Sequence, residues 1–187
     1  MALPSAWVAG SGRPPTNTPI PSPTASGPTN TPTAAGCTSG ADCDSKMTLA
    51  EKEGQMAQVH YQALTSNTDI TTYALGSLLS GGGEGPSNGN TAQDWFNMVN
   101  NFQNYALQTR LHIPLLYGVD AVHGHNNVYG SVVFPHHSGM GATHDTALIT
   151  QAEQVTRDEV LGTAFRWVFS PCICTPQDDR WGRTYEG

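Results

Sequence analysis

IPLLYGVDAVHGHNNVY, residues 113–129, decides how the rest of the chain is read. It opens as an apolar run from Ile113 to Tyr117, with Pro114 near the start, where a missing backbone donor is tolerated. The run reaches Gly118, Val119 and Asp120, and two histidines and two asparagines follow. An apolar run of this length bounded by Pro and Gly reads as a buried strand from Ile113 to Asp120. A buried carboxylate needs a partner, so an acid at the end of such a strand is poor core filler. In α/β folds chemistry collects at the carboxyl ends of strands. The stretch therefore reads as a strand delivering polar groups to a site.

The flanks supply the alternation. Thr91 to Gln108 reads as a helix, with Trp95, Met98, Val99, Phe102 and Ala106 on one core-facing stripe. Thr71 to Ser80 reads as a short strand running into Gly81-Gly82-Gly83, a sharp turn or a close backbone approach. Farther upstream the first folded element begins near Lys46. Thr48 and Glu51 fit a capping box, and Leu49, Met56, Val59 and Ala63 recur at roughly helical spacing. Gly54 weakens that helix by about 1 kcal/mol relative to Ala. Downstream, Asp145 caps a helix that turns Leu148, Ala152, Val155 and Val160 inward, and a third strand runs from Trp167 to near Ile173. Strands alternating with helices imply a parallel sheet, and spacing alone leaves a barrel and an open doubly wound sheet both standing.

The N-terminal part is different. Residues 14–35 are dominated by Pro and Thr, with a partly repeated P-T-N-T-P unit. Such a stretch cannot bury apolar surface and is expected to be extended and solvated, a spacer between modules of an exported enzyme. Residues 1–44 are read as linker or tail and residues 45–187 as a domain. Only eight of the 187 residues are Lys or Arg, with no basic run, which argues against a nucleic-acid partner. No apolar run is long enough for a membrane span. The first residues lack a basic start, and Pro4 and Ser5 interrupt any apolar core, so no signal peptide is evident. Cys37 and Cys43 could close a small loop disulfide if the protein is exported. Cys172 and Cys174 read as buried free thiols.

From Gly118 the run GVDAVHGHNNVYG, followed by Phe134-Pro-His136, resembles the N-terminal domain of family 3 glycoside hydrolases, in the β-glucosidase and exo-glucanase branch. Agreeing stretches in order are Lys46-Met-Thr-Leu49, Gly54-Gln-Met56, Gly76-Ser77 with Ser80 to Gly83, and Thr109-Arg-Leu111. Then come Gly139 to Thr143 and Arg180-Trp-Gly-Arg-Thr-Tyr-Glu186. The match runs from about residue 45 to residue 187. Ser131, Val132, His137, His144, Gln177 and Asp179 depart from the usual pattern without touching the motif residues Asp120 and Arg183.

The resemblance implies an α/β fold, the N-terminal portion of a (β/α)8 TIM-type barrel. It implies retaining removal of glucose from the non-reducing end of β-glucosides or β-glucans. It implies that Asp120 and Arg183 hold hydroxyls of the sugar at the cleavage point. The family's nucleophilic Asp and acid/base Glu fall later than these motifs, so the resemblance places neither in this chain. The chain alone is expected to be inactive, and the rest of the barrel and a second domain are its expected partners. Gly82, His123 and Trp181 are further candidates for lining the pocket. An extracellular or periplasmic location is expected, and no cofactor.

Other chemistries fit less well. Retaining hydrolysis needs two carboxyl groups about 5 to 5.5 Å apart. Asp178, Asp179 and Glu186 are the local temptation, but adjacent acids in a loop are usually solvated, and Asp178 is better read as a brace for the loop carrying Arg183. The purely structural role for Asp120 is as partner of an Arg or His, and for Arg183 a salt bridge with Asp120 or Glu186. His123, His125, His136 and His137 could bind zinc, yet no His-Glu-x-x-His helix is present. A non-catalytic carbohydrate-binding or scaffold module is the alternative function.

Overall fold

The structure is a computed structural model and describes residues 36–186, so the Pro/Thr-rich stretch lies outside the described residues. Four strands form one sheet: β1 (Gln58–His60), β2 (Ser77–Ser80), β3 (Leu116–Val119) and β4 (Trp167–Val168). All neighbours are parallel and the spatial order is β1-β2-β3-β4, with Val59 opposite Leu78, Leu78 opposite Tyr117, and Val119 opposite Val168. An open doubly wound sheet reverses its strand order at a switch point. Here each strand is added beside the last, as in the wall of a barrel.

Helices make the crossovers. A single 3-10 turn (Tyr61–Ala63) and α3 (Thr68–Thr72) join β1 to β2, and α4 (Ala92–Ala106) joins β2 to β3. Between β3 and β4 lie α5 (His137–Gly141) and α6 (Thr146–Gly162). Before the sheet stand α1 (Gly40–Lys46) and α2 (Leu49–Met56). So α1 begins before the expected first element and lies mostly within the stretch 1–44 read as linker or tail. Ser39 caps it, and a Cys37–Cys43 disulfide closes its N-terminal loop.

The core lies between sheet and helices. Trp95, Val99, Phe102 and Ala106 of α4 are buried as expected, while Met98 is only half-buried. Tyr117 and Leu78 meet them from the sheet, and Phe165 stacks on Tyr117 with centroids 5.0 Å apart. The aromatic contacts of Trp95, Phe102, Tyr117 and Phe165 bury large apolar areas and favour tilted or edge-to-face geometry. Side chains alternate along a strand. The opposite face therefore carries His60, Leu79, Gly118 and Trp167 across the register, with Asp120 two residues beyond Gly118 on the same side.

Several expectations are corrected. Thr71 to Ser80 is not one strand: Thr71 and Thr72 end α3, Ala74 turns at φ 49°, and pairing starts only at Ser77. Thr71 hydrogen-bonds the Tyr105 carbonyl (2.7 Å), so its β-branched side chain serves the helix layer. The helix from Thr48 stops at Met56, leaving Leu49 and Met56 exposed, and Val59 belongs to β1, a strand too short to show a period. On α6 the buried residues are Ala152, Thr156 and Val160. Leu148 and Val155 instead line a shallow apolar groove with Phe134 and Met140. The strand from Trp167 pairs for two residues only, since Pro171 offers no donor, and Ile173 is 93% exposed. Cys172 and Cys174 are not buried free thiols: they are half-buried and paired in a disulfide.

The capping box at Thr48 forms, with Thr48 N–H on Glu51 Oε2 at 2.8 Å and Glu51 N–H on Thr48 Oγ1 at 3.3 Å. Arg110, just before β3, forks onto both oxygens of Glu51 at 2.9 and 2.7 Å. The Arg110 guanidinium, then the capping bonds, hold the Glu51 pKa down to about 2. The folded state therefore releases this proton more readily than the unfolded chain. The stabilisation is complete above the ordinary value of 4.5 and is lost as pH falls through about 2. Glu51→Gln should flatten the acid limb of stability across that window, read as urea midpoints at several pH values. Salt should shrink the difference, because the pair is at the surface.

Candidate active site

The site is built where β2 and β3 end. Asp120 follows β3 directly, half-buried, on the face turned away from the helices. Beside it the Gly81–Gly83 turn follows β2. A Cβ placed on Gly82 would sit 2.9 Å from Asp120 Oδ2, so a larger residue there would have to push that carboxylate aside. The Gly82 backbone amide helps hold the Asp120 carboxylate in its charged form. Burial is the main cause raising the Asp120 pKa, and the negative charges of Glu186 and Glu84 add to it. Arg183 and the Gly82 N–H act in the opposite sense.

Arg183 lies at the far end of the chain, beside the 3-10 turn Thr184–Glu186. Its guanidinium forks onto Glu186, Nε to Oε1 at 2.7 Å and Nη2 to Oε2 at 2.6 Å. That contact holds the Glu186 carboxyl below its ordinary value. The salt-bridge role of Arg183 is thus filled by Glu186, while its charge still acts on Asp120. The arginine remains largely exposed, and a planar fork of donors suits sugar oxygens. Asp178 grips Arg180 through its backbone N–H (2.9 Å) and guanidinium, bracing the turn before Arg183.

The other expected lining residues divide. Gly82 lies against Asp120. His123 pairs its Nδ1 with the Phe134 carbonyl at 2.7 Å, and its ring packs on His136 with centroids 4.2 Å apart. His136 in turn packs on Tyr185 at 4.9 Å, so His123 props the turn beside Arg183 from behind. Trp181 is about one-third exposed and donates its backbone N–H to the Asp178 carbonyl at 3.0 Å. It makes no hydrogen bond to Asp120 or Arg183.

His125 is fully buried, with Nε2 on Thr163 Oγ1 at 2.8 Å, and burial pushes its pKa down to about 4. It is a neutral core residue at working pH. Among the described residues no three His, Cys, Asp or Glu side chains converge as metal ligands. A cleft of about 710 Å³ runs between Tyr61, Gly85–Asn88 and α4 and contains neither Asp120 nor Arg183.

Sequence reading missed Glu84, His60 and Asn127. Glu84 Oε1 meets His60 Nε2 at 2.5 Å, and Asn127 Nδ2 donates to the Gly81 carbonyl at 2.7 Å. The only sequence signals were an acid directly after the glycine run and an asparagine inside the opening motif.

With this geometry in view, the comparisons are decisive. Residues 48–187 match the profile of the glycosyl hydrolase family 3 N terminal domain. The chain belongs to that family. This family 3 chain is 35% identical over 158 residues to the lysosomal beta glucosidase of Dictyostelium discoideum, covering 76% of the chain and 19% of that protein. It is 29% identical over 147 residues to the periplasmic beta-glucosidase of Salmonella typhimurium, covering 78% and 18%. Among solved structures it is similar to the exo-1,3/1,4-beta-glucanase from a Pseudoalteromonas species. There the TM-score is 0.70 and the identity 39%, with 76% of this chain and 18% of that chain covered. A family 3 beta-N-acetylglucosaminidase from a Paenibacillus species shares the fold, at TM-score 0.57 and 21% identity over 67% of this chain and 24% of that one. The family 3 chain thus spans about a fifth of the length of the first relatives it matches.

Proposed function

We propose that these residues supply the first strands of a (β/α)8 barrel and the sugar-gripping part of a retaining β-glucosidase or exo-β-glucanase. In this reading Asp120 accepts hydrogen bonds from two neighbouring hydroxyls of a terminal glucose, and Arg183 donates to the same ring. The nucleophile and acid/base come from other parts of the barrel, so the 187 residues alone turn nothing over. One observation carries the reading: a half-buried carboxylate at the carboxyl end of β3, with glycine backbone against one oxygen and an arginine's field on it. A carboxylate left ionised and partly dry forms strong charge-assisted bonds to hydroxyls. Two disulfides favour an oxidising compartment outside the cytosol.

The test is product stereochemistry. The complete protein should release glucose from the non-reducing end of β-glucans with the β-anomer appearing first, followed by proton NMR. Release of the α-anomer first, or no glucose from any β-glucoside, would sink the reading. Arg183→Lys should cost about tenfold or more in kcat/KM, because an ammonium cannot reproduce the planar fork. Initial rates on a chromogenic β-glucoside check it.

A further inference from the structure

The turn that carries Gly82 is clamped from both sides. Glu84 folds back so that Oε2 accepts the Gly81 N–H at 2.8 Å while Oε1 meets His60 at the end of β1. From the loop after β3, the buried Asn127 donates Nδ2 to the carbonyls of Gly81 (2.7 Å) and Glu84 (3.2 Å). A run of three glycines has no side chains to pack and loses the most conformational freedom on ordering. Without the clamp, little would keep this turn in one place. The residue at its centre is the one whose backbone touches Asp120. Glu84 and His60 have no other task in the site described above.

We propose that Glu84, anchored by His60 and opposed by Asn127, is a positioning residue that fixes the Gly81–Gly83 turn so that the Gly82 backbone braces Asp120. The brace occupies one oxygen of the carboxylate and fixes its plane. The remaining acceptor directions are then presented together toward a pair of adjacent sugar hydroxyls. Preorganisation of this kind matters because a small misplacement of a binding group is costly in the transition state. Glu84 is negative and its charge opposes that of Asp120. Its presence beside the site is accounted for by its grip on Gly81 and His60, not by electrostatic help. The inference rests on reading Asp120 as the sugar-binding carboxylate.

The chain offers a clean probe, since only Gly82 and Gly83 follow a glycine. With glycine labelled at both its carbonyl carbon and its nitrogen, a carbonyl-filtered amide spectrum isolates these two signals within residues 1–187. Asp120→Asn should move the Gly82 amide proton clearly more than that of Gly83. In a Glu84→Ala background the same Asp120→Asn change should move Gly82 about threefold less, a coupling of the kind double-mutant cycles detect. Glu84→Gln still offers a carbonyl to Gly81 and should restore at least half of the effect. Should Glu84→Ala fail to fold by near-ultraviolet dichroism, His60→Ala leaves Glu84 present but unanchored, and a weakened Gly82 response is expected there too.

In the complete protein, on a chromogenic β-glucoside, Glu84→Ala should lose about tenfold in kcat/KM with KM raised and inhibition by free glucose weakened. An Asp120→Asn shift at Gly82 that is the same in wild type and in a folded Glu84→Ala or His60→Ala background overturns the proposal. If the wild-type complete protein releases no glucose while the coupling follows the pattern above, the hydrolase reading falls and the positioning stands. If the wild type is active and Glu84→Ala keeps both coupling and kcat/KM, the positioning falls and the hydrolase reading stands.

Discussion

Asp120→Ala in the complete enzyme is expected to lower kcat/KM on an aryl β-glucoside by roughly a hundredfold to ten-thousandfold. On the proposed reading the carboxylate accepts two hydrogen bonds from sugar hydroxyls, each about 1.5 to 3 kcal/mol when one partner is charged. Together they contribute about 3 to 6 kcal/mol, at 1.36 kcal/mol per factor of ten. Turnover should fall along with binding, because these bonds strengthen as the ring distorts toward an oxocarbenium-like state. A variant with wild-type kcat/KM would remove Asp120 from the site. The same residue should be a burden to the fold. Its pKa is raised, so the folded state holds the proton more tightly than the unfolded chain. No cost exists below the ordinary value of 3.8, and the full cost is present once pH exceeds the raised value. Asp120→Asn should therefore melt above wild type at neutral pH and lose that advantage in acid.

Gly54→Ala is expected to destabilise the protein by about 3 kcal/mol, the upper part of the usual range for overpacking, and to raise unfolding in urea accordingly. Helix propensity alone predicts the opposite sign, a gain of about 1 kcal/mol. Packing decides between them. A Cβ on Gly54 would stand 1.9 Å from the Tyr73 carbonyl oxygen and 2.8 Å from that of Ala74. Both obstacles are backbone, so no side chain can swing away. The same contact ties α2 to the entry of β2: Gly76 N–H donates to Gly54 O at 2.9 Å and Gln55 Nε2 to Ala74 O at 2.9 Å. Gly76 answers in kind, since its own Cβ would meet the Gln55 carbonyl oxygen at 2.1 Å. A shift of α2 would therefore disturb β2 and the Gly82 turn after it. A Gly54→Ala protein whose urea midpoint equals or exceeds wild type would show that α2 moves freely.

Much of this was readable before any coordinates, and the reason is local. Thr48 and Glu51, Thr91 and its helix, and Asp145 before α6 all satisfy backbone donors within a few residues, so their sequence spacing determines them. The α4 stripe and the end of the run into Asp120 are equally local, although the strand pairs only from Leu116 and not from Ile113 as read, with Pro114 and Leu116 exposed. That an acid stands at the end of the central strand was therefore decided by sequence. What lies against it was not. The opposition of Gly82 to Asp120 spans 38 positions, 120 minus 82. The hold of Glu84 on His60 spans 24, and that of Asn127 on Gly81 spans 46. Strand order decides such neighbours, and only the parallel β1-β2-β3-β4 arrangement brings three strand ends side by side. The same holds for the missed β1 and the shortened β4. Three or two residues carry no period, and their pairing follows from the strands beside them, through hydrogen bonds that exist only once the sheet is assembled.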